Sequence, residues 1–197
     1  MLVRVYSAKL SFEVVPLSMR ALSVRDMCYV AVFTAVIVVL SLLPPIPMPF
    51  GVPMTLQTFV IPLAGVVLGA KRGGLAALVY VLLGAIGLPV FHGFSGGLGM
   101  LFGLTGGFLF GFPLYAFFAG WGADRGGSHW LLVGLLTGMV LTYLLGMVQF
   151  SLVAGHDLRV SFFAVVVPFL PTELVKLFFA SLLGLAGRRR LEANGIF

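Results

Sequence analysis

The chain has 197 residues, of which 60% are hydrophobic and 9% charged, with a formal charge of +6 and a mean hydropathy of +1.15. A soluble domain carries about 25% charged residues, so this chain lacks the charge to cover a water-facing surface and reads as an integral membrane protein. Its apolar runs are continuous rather than alternating, which argues against a transmembrane β-barrel. Its basic residues sit at the ends of those runs instead of forming a nucleic-acid stripe, and its single cysteine, Cys28, excludes an internal disulfide.

The length allows about six helical spans of about 20 residues, an all-α architecture. Residues 1–25 mix charges with short apolar runs and read as an N-terminal cytoplasmic extension without a signal peptide. Residues 1–18 are expected to be dispensable, or an artefact of start-site choice. The six-helix domain is expected over 26–190, followed by a cytoplasmic tail at 191–197.

Asp26 is expected to cap span 1 (27–43), with Cys28 as a small packing residue. Residues 44–55, PPIPMPFGVPMT, hold five prolines and no charge. Proline removes donors and forbids helix, so this is a stiff extended loop; it is also too apolar to lie free in water. Span 2 (55–70) starts with Thr55, Gln57 and Thr58, contains Pro62 as a kink, and ends in a tight turn at Lys71-Arg72-Gly73. Span 3 covers 74–90.

A second unusual loop, FHGFSGGLGMLFGLTGG (91–107), is uncharged, glycine-rich and dotted with phenylalanine. Glycines such as Gly96 and Gly97 let main chain approach a ligand. Irregular backbone at membrane depth survives only when buried or lining a cavity. Span 4 (105–122) and span 5 (130–152) follow, then a connection through His156, an apolar stretch at 160–167, and span 6 (168–187), which Arg188 to Arg190 stop.

Small residues recur every four in three places: Ala31 and Ala35; Gly99, Gly103, Gly107 and Gly111; Gly134, Gly138, Thr142 and Gly146. This spacing lets helices approach closely in lipid. For spans 4 and 5 it reads as packing within the chain.

Pro168-Phe-Leu-Pro-Thr-Glu-Leu-Val-Lys176 opens span 6 and places Glu173 and Lys176 three apart, on one helix face. Pro171 suits the first turn, and Thr172 or a neighbour can cap it. Ionisable groups in a membrane segment are expensive and face a protein interior or cavity. Tyr80, Tyr115, Tyr143 and Gln149 read as bonds between helices.

With the N-terminus inside, the inner segments hold ten lysines and arginines and the outer loops hold only Arg159. Both termini are therefore expected in the cytoplasm. The proline loop, the glycine loop and the start of span 6 then share the outer face. Enzymatic signatures are missing: the three histidines have no metal-ligand spacing, there is no nucleophile elbow, and no ATP site exists. A membrane-embedded enzyme using Glu173 as acid or base remains the competing class.

PFGVPMTLQTF (49–59), LGAIGLPVF (83–91), SGGLG (95–99), TGGF (105–108) and PFLPTELVK (168–176) together resemble the BioY family. These are the biotin-specific S components of energy-coupling-factor transporters. The resemblance runs in order from about residue 26 to 190, with no match in the first eighteen. It implies a six-helix S-component fold in a prokaryotic plasma membrane. Biotin would be held near the outer face, beneath the loop between spans 1 and 2. The implied partners are a transmembrane coupling subunit, docked through Ala31 and Ala35, and two ATPase subunits. ATP would be bound only on those partners; no cofactor or metal is expected on this chain.

The family usually has aspartate where this chain has Glu173. On this reading Glu173 accepts from the ureido N–H groups and Lys176 donates to the ureido carbonyl or the carboxylate; which end of biotin meets Lys176 stays open. Ser95, Gly96 and Gly97 would bond the other end, Phe91 and Phe94 would flank the apolar ring, and Thr55 and Gln57 would bond ligand or hinge the proline loop. The same fold carrying another vitamin is the nearer alternative.

Overall fold

The computed structural model describes residues 23–193. The expected dispensable segment, residues 1–18, lies outside them, as do most of the expected extension and residues 194–197 of the tail. Among the described residues the chain is all-α, with eight helices: α1 Val24–Ser41, α2 Gln57–Leu68, α3 Ala70–Ala85, α4 Leu98–Leu101, α5 Gly106–Asp124, α6 Ser128–Ala154, α7 Leu158–Val165 and α8 Leu170–Ala193. Three of them, α1, α6 and α8, are long and apolar enough to cross a membrane.

Several boundaries differ from the sequence expectation. Ser23, not Asp26, caps α1; Asp26 is the other half of a capping box, accepting from the Ser23 N–H at 3.0 Å. Cys28 faces outward instead of packing inside. The α2–α3 turn is Gly69, whose φ of +83° suits a residue without a Cβ; Lys71 and Arg72 already belong to the first turn of α3. Thr172 does not cap α8, because its hydroxyl donates to the Phe169 carbonyl at 2.8 Å. Nor do the three arginines stop α8. Arginine favours helix, and Arg188 pairs with Glu192 one turn on, at 2.9 Å.

Helix α5 is central and packs against α6, α2 and α3, while α2 joins it to α8 and α1 lies on α3 and α2. The α5–α6 contact is a glycine seam, as the four-residue spacing predicts. A Cβ on Gly107 would lie 2.2 Å from the Leu145 carbonyl oxygen, and one on Gly111 2.7 Å from the Thr142 Cα. Thr142 adds a hydroxyl within 2.8 Å of the Gly138 carbonyl and 3.2 Å of the Gly111 carbonyl. Gly99 is not part of the seam and meets open space.

The two odd loops are both folded. The proline loop closes as a hairpin, with Ile46 and Met54 exchanging two backbone bonds of 2.9 Å. Its tip, a 3-10 turn at Pro49–Gly51, rests on α7. In the glycine loop the Phe91 ring is fully buried against Gly84 and stands edge-on to Tyr80 at 5.5 Å. The Gly97 N–H donates to the Gly84 carbonyl at 2.7 Å. Farther on, the Gln149 amide reaches from α6 to the Leu101 and Gly103 carbonyls at 2.6 and 2.9 Å.

Charge is segregated along the bundle. At the end remote from these loops Asp124 accepts from the Ala70 N–H at 2.9 Å and from Arg188 at 2.8 Å, and Arg72 pairs with Asp26 at 2.7 Å. Arg159 sits at the loop end, beside Phe50.

Candidate functional site: a buried ion pair beneath two loops

The first turns of α2 and α8 meet under the proline hairpin. Glu173 is completely buried there, and the Lys176 side chain is 12% exposed. Their contact, Nζ to Oε1 at 2.7 Å, is the ion pair that the three-residue spacing predicts. The same ammonium donates to the Thr55 carbonyl at 2.8 Å and lies 2.9 Å from Thr58 Oγ1. The Thr58 hydroxyl in turn donates to Glu173 Oε1 at 2.7 Å.

An ammonium has three protons and no acceptor, so Lys176 is fully used by the protein. Glu173 is not: its Oε1 takes two bonds, while Oε2 is buried and takes none. A buried acceptor left unmatched costs about 1–3 kcal/mol. The site therefore offers a carboxylate oxygen to an incoming N–H donor, not a free cation.

Around this pair lies a small cavity of about 40 Å3. Val52, Pro53 and Thr55 of the hairpin roof it, Gln57 and Thr58 belong to its α2 side, and His92 comes from the glycine loop. Phe108, Phe112 and Phe169 give it an apolar wall. Tyr143 completes that wall and stands edge-on to Phe108 at 5.4 Å.

The structure brings Glu173, Lys176, Thr55 and Gln57 together on this cavity. Gln57 is tied inward: its amide donates to the Tyr80 oxygen at 2.7 Å and its carbonyl accepts from the Thr55 hydroxyl at 3.0 Å. The glycine-loop set lies off the cavity wall and is engaged elsewhere. Phe91 anchors the loop in the core, Phe94 is 68% exposed, and the Ser95 hydroxyl donates to the His92 carbonyl at 2.7 Å. Gly96 lies so close to the Leu88 carbonyl that a Cβ would fall 2.2 Å from its oxygen, and Gly97 bonds Gly84. Ala31 and Ala35 are exposed and line a separate apolar groove between α1 and α3.

Sequence reasoning missed Thr58 and His92 as members of the site. A hydroxyl at the start of a helix reads as a cap, and a lone histidine in a loop has no spacing to mark it. The signal for Thr58 was its place one residue beyond Gln57, on the same outer end.

A helical membrane protein with a polar carboxylate–ammonium pair at the base of a small, aromatic-walled cavity is built to bind a small molecule. The comparisons narrow the class. A model of the BioY family matches residues 13–193, and the chain belongs to that family. The match starts inside the first eighteen residues, which the sequence reading left out.

A biotin transporter BioY from Thermotoga maritima is 44% identical over 163 residues, covering 82% of this chain and 94% of that protein. One from Rhizobium etli is 39% identical over 176 residues, covering 84% and 94%. Among solved structures, the S component for biotin from an ECF-type ABC transporter superposes with a TM-score of 0.75 at 30% identity, covering 86% of this chain and 92% of the other.

Proposed function

We propose that the chain is the biotin-capture subunit of an ATP-driven vitamin importer. The observation that carries this reading is the unmatched Glu173 Oε2 at the base of the cavity. Biotin's ureido ring brings N–H donors, so it enters first and places one against Oε2. Lys176 and Thr58 hold the carboxylate in position. The thioether ring lies against the phenylalanine wall, where sulfur–aromatic contacts are favourable. The valerate carboxylate is then left toward the loops. Family membership weighs against Glu173 as a catalytic acid or base, since capture needs no bond to break.

Ligand pockets typically hold about 300–1,000 Å3, and this cavity of about 40 Å3 suits only a few waters. The proline hairpin is therefore the lid: it lifts to admit biotin and closes over it. Its two backbone bonds at Ile46 and Met54 keep it moving as one piece.

Helices α1, α2, α3, α5, α6 and α8 are read as six spans, supported by the S-component likeness. Helix α2 has 12 residues and is about 18 Å long, so the hairpin ahead of it sits at membrane depth. The cations gathered at the opposite end support cytoplasmic termini.

Release inside is assigned to a coupling subunit and two ATPases, a reading supported by the likeness to the S component of an ECF-type ABC transporter. The groove lined by Ala31, Ala35, Val79 and Leu83 suits a partner helix, because exposed small residues admit close approach. An Ala31→Leu/Ala35→Leu double variant is expected to bind biotin normally and to lose co-purification with the coupling subunit. Co-purification at the wild-type level would place the docking surface elsewhere.

A further inference from the structure

We propose that His92 is a ligand-contacting residue that receives the carboxylate end of the captured molecule at Nε2. This rests on the reading of the ligand as biotin, and deepens it by naming a second polar subsite.

The argument starts from the loop backbone. His92 opens a 3-10 turn, followed by Gly93 at φ +66° and Phe94 at φ +56°. A left-handed phenylalanine is uncommon and unfavourable, and Phe94 is 68% exposed. The turn is locked on both sides, by the Phe91 N–H to Ser95 carbonyl bond of 3.0 Å and by the Ser95 hydroxyl on the His92 carbonyl. What this tight turn presents to the cavity is the His92 side chain. Its Nε2 is buried and has no hydrogen-bond partner.

A cavity with unmatched polar atoms from two different elements suits a ligand with two polar ends. Glu173 Oε2 needs a donor. Lys176, the one lysine or arginine among the described residues lining the cavity, has its donors engaged. The ligand's carboxylate therefore needs a donor elsewhere, and the imidazole supplies one.

Burial holds the His92 imidazole below its ordinary pKa, so the ring is neutral at pH 7 in the free protein. A carboxylate at Nε2 favours the protonated ring. The other ionisable groups on the cavity wall are Glu173 and Lys176, which pair with each other, and Tyr143. The wall residues from the hairpin, α2 and α5 are uncharged. Binding of a carboxylate ligand thus draws a proton onto His92. Affinity rises as pH falls through the ring's pKa in the complex, which lies above its burial-lowered value in the free protein, and the gain is lost as pH rises above it.

The test is binding of biotin and of its neutral amide to the purified full chain between pH 6 and 8.5. The wild type is expected to prefer biotin by about tenfold at pH 6, a preference that shrinks as pH rises. His92→Ala is expected to keep the wild type's cooperative thermal unfolding, which shows that it is folded, and to lose the preference at every pH. His92→Gln keeps a neutral N–H donor and is expected to regain part of the preference without its pH dependence. A His92→Ala chain that keeps the pH-dependent preference, or that loses both ligands equally, would overturn the proposal. A wild type that binds neither ligand would overturn the biotin reading itself.

Discussion

Lys176→Ala is expected to weaken biotin binding by at least about 100-fold, because removing one partner of a buried pair costs about 3–5 kcal/mol. The reason is local. Lys176 neutralises Glu173 at 2.7 Å and ties the second turn of α8 to the Thr55 carbonyl at 2.8 Å. Without it, a fully buried carboxylate is left with no cation beside it, held by the Thr58 hydroxyl. A carboxylate without its partner no longer keeps the position from which it accepts a ureido N–H, so ligand binding falls with it. Some of the loss will be in fold stability. A Glu173→Gln/Lys176→Met double variant separates the two: with no charge left to bury, thermal stability should return toward the wild type while binding stays lost. Calorimetric titration beside thermal unfolding in detergent reads both. A Lys176→Ala chain with wild-type affinity would show that the pair only locks the helices together.

Gly107→Val is expected to be the most damaging single change to the seam. A Cβ there would lie 2.2 Å from the Leu145 carbonyl oxygen and 2.8 Å from the Gly146 Cα. The atoms in the way are backbone on a well-packed helix, so α5 and α6 must separate. Overpacking of this kind costs about 1–3 kcal/mol and occasionally more. The cavity feels it too, since Phe108 follows Gly107 and packs on Gly146. Biotin affinity should fall along with the melting temperature. Gly99→Ala, which meets nothing within 4 Å, is the control and should melt within a degree or two of the wild type. Equal melting of both variants would mean that the seam is not tightly closed.

Much of this was legible in the chain because lipid leaves few choices. Glu173 and Lys176 stood out as the acid and base within an apolar segment, and the glycine spacing marked a close helix contact. Both hold in the structure. The misreadings have a common source: a local signal was given a local meaning. Lys71 and Arg72 looked like a turn because they are charged, whereas the left-handed Gly69 makes it. Ser95, Gly96 and Gly97 read as a ligand cradle; in the structure they also fold their own loop, through Ser95 on His92 and Phe91, Gly96 against Leu88 and Gly97 on Gly84. Thr58 joins Glu173 across 115 positions, a pairing that no spacing rule contains. The orphaned Nε2 of His92 is visible only once the loop is folded over the cavity.

The most direct measurement is saturation binding of labelled biotin to the purified chain, with excess unlabelled biotin, riboflavin or thiamine as competitor. The account predicts tight, saturable binding that biotin alone displaces. Folded protein that does not bind biotin, or that yields it equally to riboflavin or thiamine, would contradict it.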